Sequence, residues 1–224
     1  MGDSLFIWVA EAVPFLTALA AFLYGVCHFF KKGKALYLQS ITMAMGSHAL
    51  GSLYRICQLM TRGSVGEGFT PAYLGRIGFF LFFLTAGYGQ IDRIVDDGSP
   101  SLKFSRRISF LAPALLCLLY LPNLMIDGIS TAKQISYLLV WIPAVITVYF
   151  NMKHALIPDQ DFGFVKAIKP YNLFALALGF VDLICLSIRG YYNNIPYVVV
   201  SLIFGVLCIA TLYAAKKGVE KWTI

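Results

Sequence analysis

Residues Pro170–Arg189 read PYNLFALALGFVDLICLSIR. This is an apolar run about as long as a bilayer is thick, with one acid, Asp182, in its interior. At 1.5 Å per residue a helix of this length covers about 30 Å of hydrocarbon. A carboxyl group at that depth costs roughly 2.5–3.5 kcal/mol on insertion scales, so it faces a partner or a water-filled cavity rather than lipid. The remaining apolar segments read as the walls around this acid.

The composition agrees. Of 224 residues, 59% are hydrophobic and only 13% charged, and the mean hydropathy is +0.75. A soluble domain carries about 25% charged residues; here the charges fall in short clusters between long apolar runs. The expected class is all-α, a polytopic membrane protein forming one domain over residues 1–224. The formal charge of +7 needs no nucleic acid, because Lys and Arg gather in cytoplasmic loops and at the headgroup level. Five cysteines (Cys27, Cys57, Cys117, Cys185, Cys208) stand singly, without CxxC or Cys/His ligand spacing, and read as free thiols with no metal site. The first apolar run is too long for a signal-peptide core and lacks a basic leader, so it is expected to stay as a membrane helix.

Seven spans are expected, at approximately Leu5–Phe30, Leu36–Met60, Ala72–Ile91, Ile108–Ile126, Gln134–Met152, Pro170–Arg189 and Ile195–Ala215. Turn residues separate them: Lys31-Lys32-Gly33-Lys34, Gly63 to Pro71, Asp96-Asp97-Gly98-Ser99-Pro100, Asp127-Gly128, and Asn193-Asn194 before Pro196. The first, third and fifth loops and the tail hold Lys31, Lys32, Lys34, Arg93, Lys103, Arg106, Arg107, Lys153, Lys166, Lys169, Lys216, Lys217 and Lys221. The other side holds only Arg62, Lys133 and the helix-end residues Arg55, Arg76 and Arg189. This bias predicts a cell-membrane protein with its N-terminus outside and its C-terminus cytoplasmic. Trp8 and Trp222 sit near the two expected boundaries.

An offset of 134 places lays Tyr37 on Tyr171, His48 on Asp182 and Arg55 on Arg189. With one odd span between, spans 1–3 and 5–7 would run in the same direction, a parallel 3+1+3 pseudo-repeat.

Depth sorts the polar residues. Span 2 runs outward, so His48 is expected near the midplane and Arg55 about 10 Å further out. Span 6 runs the same way, with Asp182 at the midplane and Arg189 at the outer boundary. Spans 1 and 3 run inward, which puts Glu11 and Arg76 in the outer third. His48, Gly51, Ser52 and Arg55 form one helical stripe, and Gly179, Asp182, Cys185 and Arg189 another. The ligand-binding candidates are therefore Glu11, His48, Arg55, Arg76, Asp182 and Arg189, around an outward-facing polar cavity whose guanidinium groups would favour an anion. The same residues also suit structural ion pairs, with Arg76 and Arg189 snorkelling to phosphates. Pro14, Pro113, Pro122 and Pro143 are candidate kinks. The run Phe79, Phe80, Phe82 and Phe83 covers too many faces for a cofactor box and reads as core and lipid contact. His28 and His154 read as interfacial.

Three resemblances bear on function. Retinal proteins carry a lysine inside the last span; Ile195–Ala215 has none, so no retinal and no other cofactor is expected. Asp92-Arg93-Ile94 resembles the acidic-Arg motif of G-protein-coupled receptors, without their span-6 Pro or span-7 Asn-Pro signatures. Val181-Asp182, Arg189 seven residues after the acid, and a last span ending in Tyr213 are similar to the C-terminal part of lysoplasmalogenase-type membrane hydrolases, over about 45 residues. That resemblance implies a hydrolase with Asp182 as base. The family's other acid would fall near Gly46–His48, where no Asp occurs, and its His-x-x-Tyr is absent.

The expected function is binding of a small, anionic ligand by a transporter or facilitator, or by a receptor-like sensor. A sensor would contact a cytoplasmic protein through residues 92–107 and the basic tail. The alternatives are an intramembrane lysolipid hydrolase using Asp182 and His48, and a structural or assembly subunit.

Overall fold

The computed structural model describes residues 2–63, 69–125, 131–159, 163–188 and 195–222, and all of its regular structure there is helical. The long helices are α1 (Gly2–Phe29), α2 (Leu36–Arg62) and α3 (Pro71–Ala86). A π-helical turn (Gly87–Ile91) and a short helix α4 (Asp92–Val95) prolong α3. After a 3-10 turn come α5 (Lys103–Ile108), α6 (Leu111–Met125), α7 (Thr131–Leu156), α8 (Phe164–Ile188) and α9 (Ile195–Trp222).

Among the described residues, six helical stretches are long and apolar enough to cross a membrane: Phe6–Phe29, Pro71–Val95, Pro100–Leu121, Thr131–Leu156, Phe164–Ile188 and Ile195–Lys221. The chain is an all-α membrane bundle. The second expected span, α2, is as long as the others but more polar, because it carries Ser40, Ser47, His48, Ser52, Arg55 and Gln58. Fourteen of its residues are buried. Protein rather than lipid surrounds most of α2, so its polar side chains meet other helices.

The helices close into a ring in the order α1, α2, α3, α7, α8, α9 and back to α1, while α6 lies outside against α7. Aromatic and aliphatic side chains such as Phe79, Phe80, Phe204, Ile41, Met45 and Leu178 fill the interior. The α2–α3 crossing is made by glycine. A Cβ on Gly75 would lie 2.6 Å from the Gly51 Cα, and one on Gly51 would lie 2.8 Å from the Ala72 carbonyl oxygen. Only hydrogen at both positions lets the two backbones touch.

Several boundaries differ from the sequence reading. Helix α8 begins at Phe164, so Pro170 lies inside it rather than at its start. Helix α7 runs on to Leu156 and α9 to Trp222, beyond the apolar runs and through their basic residues, which favour a helix C-terminus. The fourth span is broken at Ser109-Phe110 between α5 and α6.

Candidate functional site

Five of the six candidate residues come together. Asp182 on α8 is fully buried, and His48, at the centre of α2, is 2% exposed. The His48 Nε2 lies 3.3 Å from Asp182 Oδ1, and Ser52, one turn along α2, lies 3.3 Å from the other ring nitrogen. Helix α3 contributes Arg76, whose Nε is 3.1 Å from the same Asp182 Oδ1. Next to this triad is a second pair. Arg55 holds Glu11 of α1 with two parallel hydrogen bonds, Nε to Oε2 at 2.8 Å and Nη2 to Oε1 at 2.5 Å. Tyr197 of α9 donates its hydroxyl to the same Glu11 oxygen at 2.5 Å. The sixth candidate, Arg189, lies outside the described residues.

Arg76 is displaced from the expected arrangement. Its Cα depth suggested an outer layer separate from the His48–Asp182 pair, yet its side chain reaches the acid directly. The Gly51–Gly75 contact brings α3 against α2 one residue before Arg76, and a guanidinium on a long stem covers the remaining depth.

The two clusters share a cavity. Glu11, Pro14, His48, Ser52, Arg76, Asp182, Cys185, Tyr197, Ser201 and Phe204 line a space of about 10 Å³ open to a water centre. That is the size of one water. Toward the other end of the bundle the site is sealed by rings: Phe204 stacks on His48 at 4.5 Å, and Phe79 meets it edge-on at 5.2 Å. The aromatic column continues from Phe79 to Phe83 (4.9 Å), Tyr171 (6.5 Å) and Tyr37 (5.8 Å). Tyr37, Gln90, Ile94 and Lys34 then help line a second cavity of about 550 Å³ at the opposite end.

The charge balance defines what the site can do. Glu11 and Asp182 against Arg55 and Arg76 sum to zero with His48 neutral. Removing one partner of such a buried pair costs about 3–5 kcal/mol, because the other is stranded. One added proton leaves a single positive charge, which one anion would neutralise. In charge alone, a proton and a monoanion entering together would leave the cluster neutral; the cavity that Glu11 and Asp182 both line has room for one water.

A second charged cluster escaped the sequence reading. Lys153 of α7, 5% exposed, has its Nζ 2.6 Å from Asp92 and 2.7 Å from Asp96. His154 Nε2 lies 2.9 Å from Asp92, and Arg106 pairs with Asp96. His154, expected at the interface, is fully buried within the protein, with Asp92 against its ring. The available signal was two acids four residues apart next to a Gly-Tyr-Gly break in an apolar span. Tyr197 was also missed, since a tyrosine near a helix start looks like an interfacial anchor. The Asp96 carboxyl is held well below the usual carboxylate range, chiefly by the Arg106 guanidinium and further by Lys153.

No family model, no curated protein and no solved structure matches this chain.

Proposed function

We propose that this is a seven-helix protein of the cell membrane, N-terminus outside and C-terminus cytoplasmic, that carries a small anion together with a proton. The observation that supports it most is the His48–Asp182–Arg76 triad on the wall of a one-water cavity. In this reading the closed triad is the occluded, empty state. A proton on the His48–Asp182 pair weakens the hold of Asp182 on Arg76, and an anion entering from the outer side takes its place. Arg55, Glu11 and Tyr197 form the outer wall, and Arg189 belongs to the same mouth. The aromatic column through Phe79, Phe83, Tyr171 and Tyr37 is the inner barrier, and the cavity at Lys34 and Gln90 is the cytoplasmic vestibule.

A parallel 3+1+3 repeat fits this mechanism. Exchanging α1, α2, α3 for α7, α8, α9 carries the ring of helix neighbours onto itself. Two of the residue pairs matched by the 134-place offset, His48 with Asp182 and Tyr37 with Tyr171, meet each other. Two halves rocking about the axis between α2 and α8 would open the ends alternately.

One observation favours a second reading. Glu11 and Asp182 face the same one-water cavity, so α1 supplies the second carboxylate that a lysoplasmalogenase-type hydrolase needs. A receptor-like sensor would use residues 92–107, where Ile94 and Phe104 are exposed, and the basic tail.

The test is thermal stability of detergent-purified protein against a panel of small anions and lysolipids, for wild type and Asp182→Asn. A ligand at 100 times its dissociation constant adds about 2.7 kcal/mol to the native state. An anion that raises the melting point of wild type and not of the variant supports transport. A lysolipid that raises the melting point of wild type and not of the variant, and that wild type cleaves when the mixture is analysed by mass spectrometry, supports the enzyme.

A further inference from the structure

We infer that the groove between α1 and α9 is a specific site for an anionic phospholipid, distinct from the charge cluster and independent of its role. The groove encloses about 410 Å³. Its walls are Ala20 and Ala21 on α1 and Ile209 and Leu212 on α9. The two alanines stand opposite the bulky α9 residues and leave a slot of acyl-chain character. Ile209 is 55% exposed on an otherwise apolar span, a face that meets lipid tails.

The basic end of the groove selects the headgroup. Lys216 Nζ donates to the Tyr24 hydroxyl at 2.8 Å and lies 5.5 Å from that ring's centroid. Lys217 lies over the Tyr213 ring at 4.7 Å. Tyr24, Tyr213 and Lys216 all line the groove. Lys216 thus stands at the basic end of the slot, where a chain lying in it would end in its phosphate, and Lys217 is held beside it over the ring of Tyr213, itself a lining residue. Glu220, whose side chain is 58% exposed, sits 3.8 Å from Lys216, an exposed i,i+4 pair of the weak, solvent-screened kind. Lys31, Lys32 and Lys34 follow α1 at the same end, so the local field favours an anion. A lysine near a membrane surface adds about 1 kcal/mol of attraction to acidic lipid, about fivefold in occupancy. Snorkelling lysines alone would give no slot and no fixed aromatic partners.

Native mass spectrometry of detergent-purified protein equilibrated with equal phosphatidylglycerol and phosphatidylcholine tests this. Wild type should retain phosphatidylglycerol in at least about fivefold excess. Lys216→Gln with Lys217→Gln should bring the ratio near one. Ala20→Phe, which fills the slot and leaves the charges in place, should remove most of the retained lipid. Equal retention of both lipids by wild type overturns the proposal, as does an Ala20→Phe protein that retains phosphatidylglycerol like wild type. A lipid-free dimer peak that Ala20→Phe abolishes would assign the groove to a second copy and also overturn it.

Discussion

Arg76 and His48 converge on one oxygen, Asp182 Oδ1, from two different helices. Helix α8 supplies the acid, α2 the imidazole and α3 the guanidinium, so the three helices are tied at a single atom inside the bundle.

Breaking this tie from one side should be costly. Asp182→Asn removes the Asp182 charge from beside Arg76, and Arg76→Gln removes the guanidinium from beside Asp182. Each should lower stability by about 3–5 kcal/mol, and the double variant by less than the sum. Chemical or thermal unfolding of the four proteins in one detergent checks this. Strict additivity would mean that the pair is not coupled.

The α2–α3 crossing should be as sensitive as the charges. In Gly75→Ala the new methyl would meet Gly51 backbone at 2.6 Å, so the helices must separate. The expected loss is about 1–3 kcal/mol, with weakened ligand-induced stabilisation because Arg76 moves with α3. Gly78→Ala, where a Cβ would meet only the Ser47 side chain, should cost less. Melting curves of the two variants decide the order.

Acid should loosen the Asp92–Asp96 cluster first. The Asp96 carboxyl is held well below its usual range by Arg106 and Lys153. For a depressed acid the stabilisation is fully present above the unfolded value of about 3.9 and is lost as pH falls toward the lower folded value. Wild type should therefore lose stability below about pH 4, and Asp96→Asn should be less stable at pH 7 with a flatter acid limb. Melting temperature against pH for both proteins is the measurement.

If the triad carries a proton with its anion, transport should acidify the lumen of reconstituted vesicles. Pyranine-loaded liposomes given small carboxylates or phosphate from outside should report acidification with wild type. Asp182→Asn should abolish it, and Lys216→Gln should leave it in place. Acidification that persists in Asp182→Asn would remove the acid from the pathway.

The membrane bundle and the His48–Asp182 contact were legible because few variables decide them. Apolar run length marks most of the long helices, and residue rise along α2 and α8 puts His48 and Asp182 level with each other. Arg76 was harder to place, since its reach depends on the Gly51–Gly75 approach, which neither residue's local sequence reveals. Lys153 was counted with the basic residues of the loops and His154 read as interfacial, because basic residues at helix ends usually are. Their burial depends on Asp92 and Asp96, about sixty residues away in sequence and re-aimed by a π-helical turn that no periodicity rule anticipates. Tyr197 is neutral, so a reading organised around charge passed over it.

The most direct test of an outward-opening site needs no ligand. Cys185 lines the one-water cavity and is buried, with its sulfur 3.9 Å from the Ser201 hydroxyl. Intact cells would be treated with a membrane-impermeant methanethiosulfonate, and adducts at each cysteine located by peptide mass spectrometry over time. Slow labelling of Cys185 from outside, faster in Asp182→Asn where the triad is open, is the expected result. A Cys185 that never reacts from outside in either protein would contradict an outward-opening cavity and leave the cluster as a set of structural ion pairs.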